Sequence, residues 1–258
     1  MVHPDHRKKG VFTALTGNLL EILARENMCF RYSAPGPMSY PGYLKLGSET
    51  VCRMPHLFRL NIKNKLFSRR YSPEKKESAD SAVIFREDRF TLQAVERADG
   101  SFDALDRETA SLSGIRIQRD SAFVNWRLIG NPLKPCKVLG FFRHEELLGY
   151  AAVRSGYLVD LLYGKDEKHL ELFIKWVARY LDTKGIILSE TWFSGDERIT
   201  KHLRKSGFRS DGWDGLKRAL SMMEGYPLIV HINEKECEPV LIRNAANWYI
   251  TMANIDCM

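Results

Sequence analysis

The chain has 258 residues, of which 44% are hydrophobic and 28% charged, with a formal net charge of +7. That composition fits a soluble globular protein of one large or two small domains, with apolar material for one or two cores. It argues against a membrane span, since no apolar run approaches the roughly 18–20 residues a span needs. The charged start, Met1 to Gly10, lacks the apolar core of a signal peptide, so a cytoplasmic location is expected. The positive balance points to an anionic partner, or to no more than a slightly basic surface. Five cysteines, Cys29, Cys52, Cys136, Cys237 and Cys257, form no C-x-x-C pair. Reduced thiols are therefore expected, with neither a zinc site nor a disulfide framework.

Along the chain, residues 11–26 read as a helix, because Val11, Leu15, Leu19 and Leu23 recur at helical spacing with Phe12 and Ile22 beside them. Met28 to Tyr32 reads as a buried strand, and Ala34-Pro35-Gly36-Pro37 breaks the chain. A short helix follows and ends at Gly47, a residue suited to a helix C-cap, and Glu49 to Leu60 reads as one strand. Residues 61–109 read as a linker and connecting segment, polar and charged over 61–82. The Lys/Arg cluster within 61–76 suits a solvated connection better than nucleic acid, because few aromatics interleave with it.

A second unit is clear from about residue 110. Asp120 to Trp126 opens a helix, and Val138 to Phe142, Leu147 to Val153 and Tyr157 to Tyr163 read as strands. Residues 166–182 form an amphipathic helix with Leu170, Phe173, Ile174, Val177 and Leu181 on one face. Gly185 to Phe193 is a strand, Asp196 to Ser206 a helix capped by Gly207, and Pro227 to Ile232 and Trp248 to Met252 are late strands. Alternating strands and helices predict an α/β class, in detail an α+β mixed sheet. The order helix, strand, turn, short helix, then a lysine two residues before a glycine occurs at 11–48 and again at 166–208, which predicts two related modules.

The sharpest motif is Val2-His3-Pro4-Asp5-His6-Arg7-Lys8-Lys9-Gly10-Val11-Phe12, running straight into the first helix. A glycine lets the backbone turn tightly and approach a ligand. The first helical turn offers unpaired N–H groups and the positive end of the helix dipole, which together bind phosphate. Arg7, Lys8 and Lys9 add positive charge.

Arg7-Lys8-Lys9-Gly10-Val11-Phe12 resembles the Arg/Gln-x-x-Gly-x-Gly/Ala loop of the GNAT superfamily of N-acetyltransferases, with Phe12 in place of the usual small residue. Tyr43 and Gly47 match that family's tyrosine four residues before a glycine, while Ser48 replaces its usual phenylalanine. Leu203-Arg204-Lys205-Ser206-Gly207-Phe208 is similar to the family's late Leu/Tyr-x-Lys-x-Gly-Phe signature. Asn125-Trp126-Arg127 with Pro132, and Trp248 to Thr251, resemble structural landmarks of bacterial tandem-GNAT proteins.

The resemblance implies a first, incomplete GNAT-like module over residues 1–60 and a second, degenerate one over 110–258. It implies that loop amides of Arg7, Lys8, Lys9, Gly10, Val11 and Phe12 hold the pyrophosphate of acetyl-CoA. It places the acyl donor in a splay between the family's fourth and fifth strands and makes Tyr43 the acid that protonates the departing thiolate; Tyr40 is a nearby rival with poorer spacing to the glycine. The activity implied is transfer of an acetyl group from acetyl-CoA to an amine, with no metal. A non-catalytic interaction or regulatory protein with a degenerate or truncated GNAT fold is the alternative. In the second module the corresponding loop, Tyr163 to Lys168, carries Asp166 and Glu167, whose charges oppose a pyrophosphate, so that module is expected not to bind acyl-CoA. Glu190 is the candidate acceptor-side base, against an ordinary ion-paired carboxylate. The strands that precede the loop in the family are missing, which fits a fragment of a longer protein, replacement strands from the second module, or a relic. The sequence leaves the oligomeric state open. No G-x-S-x-G elbow, Walker loop or histidine pair at metal spacing is present.

Overall fold

A computed structural model describes residues 4–6, 9–61, 83–210, 225–234 and 236–254. In chain order the elements are α1 (Val11–Arg25), β1 (Phe30–Ser33), α2 (Tyr40–Lys45), β2 (Glu49–Arg53), β3 (His56–Leu60), β4 (Val83–Glu87), β5 (Phe90–Val95), α3 (Gly100–Thr109) and β6 (Ile115–Arg116). Then come α4 (Ser121–Phe123), which runs on as a π-helical turn over Val124–Ile129, β7 (Lys137–Arg143), β8 (Glu146–Arg154), β9 (Tyr157–Tyr163) and α5 (Leu170–Thr183). The last are β10 (Leu188–Ser194), α6 (Glu197–Lys205), β11 (Pro227–Ile232), α7 (Pro239–Arg243) and β12 (Trp248–Thr251).

These elements form two compact units that interleave along the chain. Unit 1 comprises Met1–Met54 and Met223–Asn247; unit 2 comprises Pro55–Met222 and Trp248–Met258. This differs from the expected succession of 1–60, a connector over 61–109, and 110–258. Two causes are visible. The expected single strand over 49–60 is two strands, divided where Pro55 lacks the N–H a continuous ladder needs. The Met54 amide donates to the Tyr226 carbonyl of unit 1, and the Pro55 carbonyl accepts from Phe193 of unit 2. The expected connector also holds β4, β5 and α3 of unit 2. Its tight turn places Asp88 at φ 50, a left-handed conformation that aspartate tolerates better than most residues. The basic stretch at 61–76 lies outside the described residues beyond Asn61.

Unit 1 has a three-stranded sheet in the order β1-β11-β2, with β11 antiparallel to both neighbours. β11 is central because Leu228, Ile229 and Val230 are a continuous apolar run, as a strand covered on both faces requires, and all three are buried. α1 matches its expected span closely, yet of its residues only Thr16 is buried. Leu15, Leu19 and Ile22 are 63%, 43% and 51% exposed, so the stripe that reveals the helix is not its packed face.

In unit 2, β4, β5, β7, β8 and β9 are antiparallel neighbours, and β10 joins β9 in parallel. Side chains alternate across the sheet. Phe141 stacks on Phe173 of α5, whereas Tyr150 meets Phe102 of α3, so the two helices cover opposite faces. Each aromatic so buried contributes about 1.5–3 kcal/mol. Asp99, Asp120 and Asp196 cap α3, α4 and α6 by accepting backbone N–H bonds.

The two units share one device. In unit 1 the strand between β1 and β2 comes from residues 227–232; in unit 2, β3 lies between β10 and a bridge to Arg209. Each sheet is thus completed by a strand that its own run of helices and strands does not contain. β11 is such a replacement strand, but it enters between β1 and β2, not at the position preceding the loop.

Candidate functional site

In unit 1 the N-terminal end of α1 begins at Gly10, in the left-handed conformation with φ 74. Its carbonyl accepts the Ala14 amide at 2.9 Å and no side chain caps the helix. A Cβ added at Gly10 would meet nothing within 4 Å, so the glycine is required by its φ and not by crowding. Lys9 and Gly10 are exposed and the first turn carries no acidic residue. The leading N–H groups of such a turn have no intrahelical acceptor and favour an anion. Arg7 and Lys8 lie outside the described residues.

Phe12 and Tyr43 come together. Their rings meet edge to face, with centroids 5.0 Å apart. A Cβ at Gly42 would lie 2.6 Å from Phe12 Cε1, so α2 approaches the ring as closely as a glycine permits. The bulky residue in the loop motif therefore packs toward α2. Tyr43 is half-buried, and Arg31 of β1 places its guanidinium 4.7 Å from the ring centroid. The rival Tyr40 has its hydroxyl engaged with Thr50 Oγ1 at 2.8 Å, whereas the Tyr43 hydroxyl makes no hydrogen bond among the described residues. Gly47 closes α2 with φ 82.

Sequence reasoning missed Arg31, Gly42 and His231. Arg31 and His231 are direct partners in the β1–β11 register. Among the described residues, Arg31 Nη1 is buried without a hydrogen-bond partner. Burial, then the nearby Arg31 charge, holds the His231 imidazole below its ordinary pKa. Pairing across some two hundred residues of sequence leaves no local signal. A cavity of about 350 Å³ lies between the C-terminal half of α1, with Leu20 and Leu23, and the adjoining ends of β1 and β11. Neither the loop nor Tyr43 lines it.

In unit 2, Glu190 is hydrogen-bonded to His56. Its carboxylate is 2.9 Å from His56 Nε2, and the imidazole stacks on Trp192 at 4.5 Å. In the loop after β9, the Lys165 amide donates to Glu108 Oε1 at 2.8 Å, and Glu167 pairs with His202 at 3.0 Å. No helix among the described residues is long and apolar enough to cross a membrane. No group of three or more His, Cys, Asp or Glu among them could hold a metal ion.

No protein-family profile matches the chain, and no curated protein is similar to it in sequence. Solved structures are similar in fold. One is a conserved protein of unknown function from Enterococcus faecalis, described as a probable N-acyltransferase, with TM-score 0.56 and 16% identity over 90% of this chain and 52% of that one. Another is a GCN5-related N-acetyltransferase from Anabaena variabilis, with TM-score 0.52 and 13% identity over 90% of this chain and 53% of that one. A third, from Pyrococcus horikoshii and described as a candidate acetyltransferase, has TM-score 0.51 and 11% identity over 96% of this chain and 66% of that one. The chain thus spans about half the length of the first two. The mixed α/β sheets of this chain have the fold of the GNAT acetyltransferases.

Proposed function

We propose that the chain carries the acyl-donor half of an acyl-CoA-dependent N-acyltransferase that moves an acetyl group from acetyl-CoA to an amine. The observation that supports this most is the convergence in unit 1 of a left-handed glycine at a helix N-terminus with Tyr43, through the Phe12 contact. Amides of Gly10 to Phe12 bind the donor pyrophosphate, aided by the charges of Arg7, Lys8 and Lys9. The amine nitrogen attacks the thioester carbonyl carbon, the C–S bond breaks, and the sulfur takes the Tyr43 hydroxyl proton. The ammonium proton passes to solvent, and the Tyr43 phenolate takes a proton back from solvent. Positioning and a proton donor are the loop's and Tyr43's shares of the barrier reduction. No metal is needed for these steps.

Calorimetric titration of the chain with acetyl-CoA tests the reading. One-to-one saturable binding that is lost in a Gly10 variant is the expected result. A folded chain that takes up no acetyl-CoA would overturn it and favour an interaction protein with the same fold.

A further inference from the structure

The two parallel strands of unit 2 separate almost as soon as they meet. β9 and β10 share a single register pair, Tyr157 with Glu190. Beyond it, their facing backbone groups cannot bond to each other, and buried N–H and C=O groups need partners. An extended, amide-bearing ligand laid in the gap would supply them, as an added strand does at an open sheet edge.

β12 already lies there. It pairs antiparallel with β10 at Phe193–Thr251 and Ser194–Ile250. The Phe193 amide points the other way, to Pro55 beside β3, so β12 occupies the edge of β10 that faces β9. Two side chains tie β12 across to β9: the Tyr249 hydroxyl donates to the Leu161 carbonyl, and the Thr251 hydroxyl donates to Asp160 Oδ1 at 2.7 Å. Fully buried Arg119 locks the arrangement. It pairs with Asp160, donates to Asn254 at 2.9 Å and lies 4.7 Å over the Tyr249 ring. The fit leaves no slack, since a Cβ at Gly195 would lie 2.0 Å from the Trp248 carbonyl oxygen. The loop that follows β9 is occupied too, with Glu108 on the Lys165 amide and Arg198 donating to the Gly164 and Lys165 carbonyls.

We propose that unit 2 is self-occupied: β12 fills the gap between β9 and β10 and Glu108 fills the adjoining loop, so that this unit is permanently closed to an acyl-CoA. The inference rests on the acyltransferase reading only for the identity of the excluded ligand. The chain then has at most one donor site, in unit 1.

Amide hydrogen exchange on the full chain, with and without saturating acetyl-CoA, tests this in two arms. Acetyl-CoA is expected to leave exchange over 158–170 and 248–251 unchanged; slowed exchange at 161–166 would show an open cleft and overturn the proposal. In the second arm, the Tyr249→Phe, Thr251→Val double variant is expected to speed exchange at Ser194 and Ile250, the register pair whose amides face across β10 and β12, by about tenfold or more, since each of the two lost hydrogen bonds contributes about 0.5–1.5 kcal/mol, while Phe141 in β7 keeps its protection. Unchanged exchange at those two residues would show that these hydroxyls do not hold the strand in place, and would also overturn it. Should the double variant not fold, Tyr249→Phe alone, which removes one hydroxyl, gives the same reading. If acetyl-CoA alters exchange nowhere, residues 9–14 included, the donor-site proposal for unit 1 fails, and the second arm still decides this one.

Discussion

The Arg31 guanidinium lies over the Tyr43 ring, its carbon 4.7 Å from the ring centroid. With Phe12 against the same ring at 5.0 Å, the phenol is held by both β1 and the start of α1. A cation over an aromatic face contributes about 0.5–2 kcal/mol. The grip gives the loop and the tyrosine a physical link that the spacing of the motif alone does not reveal.

The close approach of α2 to Phe12 sets the first prediction. Gly42→Ala places a methyl group where 2.6 Å separates it from Phe12 Cε1. Overpacking of this kind costs about 1–3 kcal/mol, and it outweighs the gain of up to about 1 kcal/mol from replacing a helical glycine. In a Phe12→Ala background the clash is absent and the same change is expected to stabilise. Urea unfolding of the four-member cycle should show strong coupling; additive effects would mean that the ring does not hold α2 at this distance.

Gly10→Val is the second. A β-branched residue at φ 74 costs roughly 1–2 kcal/mol. Because a Cβ there meets nothing, the strain acts on loop geometry and not on packing. Acetyl-CoA affinity is expected to fall about tenfold or more, while unfolding stability falls by no more than that strain of roughly 1–2 kcal/mol. Equal affinity in calorimetry would remove the loop from the donor site.

Tyr43→Phe is the third. It keeps the ring, and with it the contacts to Phe12 and Arg31, and removes only the hydroxyl. A positioned general acid contributes on the order of 10²–10⁴-fold. Thiol release in the presence of an accepted amine should drop by about that factor, while acetyl-CoA affinity stays within a factor of about two, since uniform binding is untouched. A variant as fast as the wild type would return the assignment to Tyr40 or to solvent.

What the sequence makes legible follows from how local each signal is. β9 and β11 stand where Tyr157 to Tyr163 and Pro227 to Ile232 place them, because continuous apolar runs of that length identify buried strands. Tyr43 and Gly10 stand out in the sequence because the motifs they resemble have fixed spacing. The exchange of strands is not. β11 pairs with β1 across some two hundred residues, and β3 pairs with β10 across about 130. Nothing in Leu228-Ile229-Val230 says which sheet it completes. β4 and β5 escape for a different reason: their short apolar stretches sit beside Arg86, Glu87, Asp88 and Arg89, whose charges resemble those of the preceding linker.

The pH dependence of unit 1 gives the last prediction. His231 sits opposite Arg31, and burial together with that charge lowers its pKa from an ordinary 6.5. Protonation is therefore less favourable in the folded chain than in the unfolded one. Below pH 6.5 the unfolded state takes up more protons, so acidification draws the equilibrium toward it. The stability that neutral His231 contributes is complete above about pH 6.5 and declines as pH falls through the window between the unfolded and folded values. His231→Gln carries no titrating group and should flatten that part of the profile, measured by urea unfolding between pH 7.5 and 5. Arg31→Met removes the second cause and should narrow the window without abolishing it, because burial is the larger effect. If both variants lose stability on acidification as steeply as the wild type, the dependence arises from groups other than this pair.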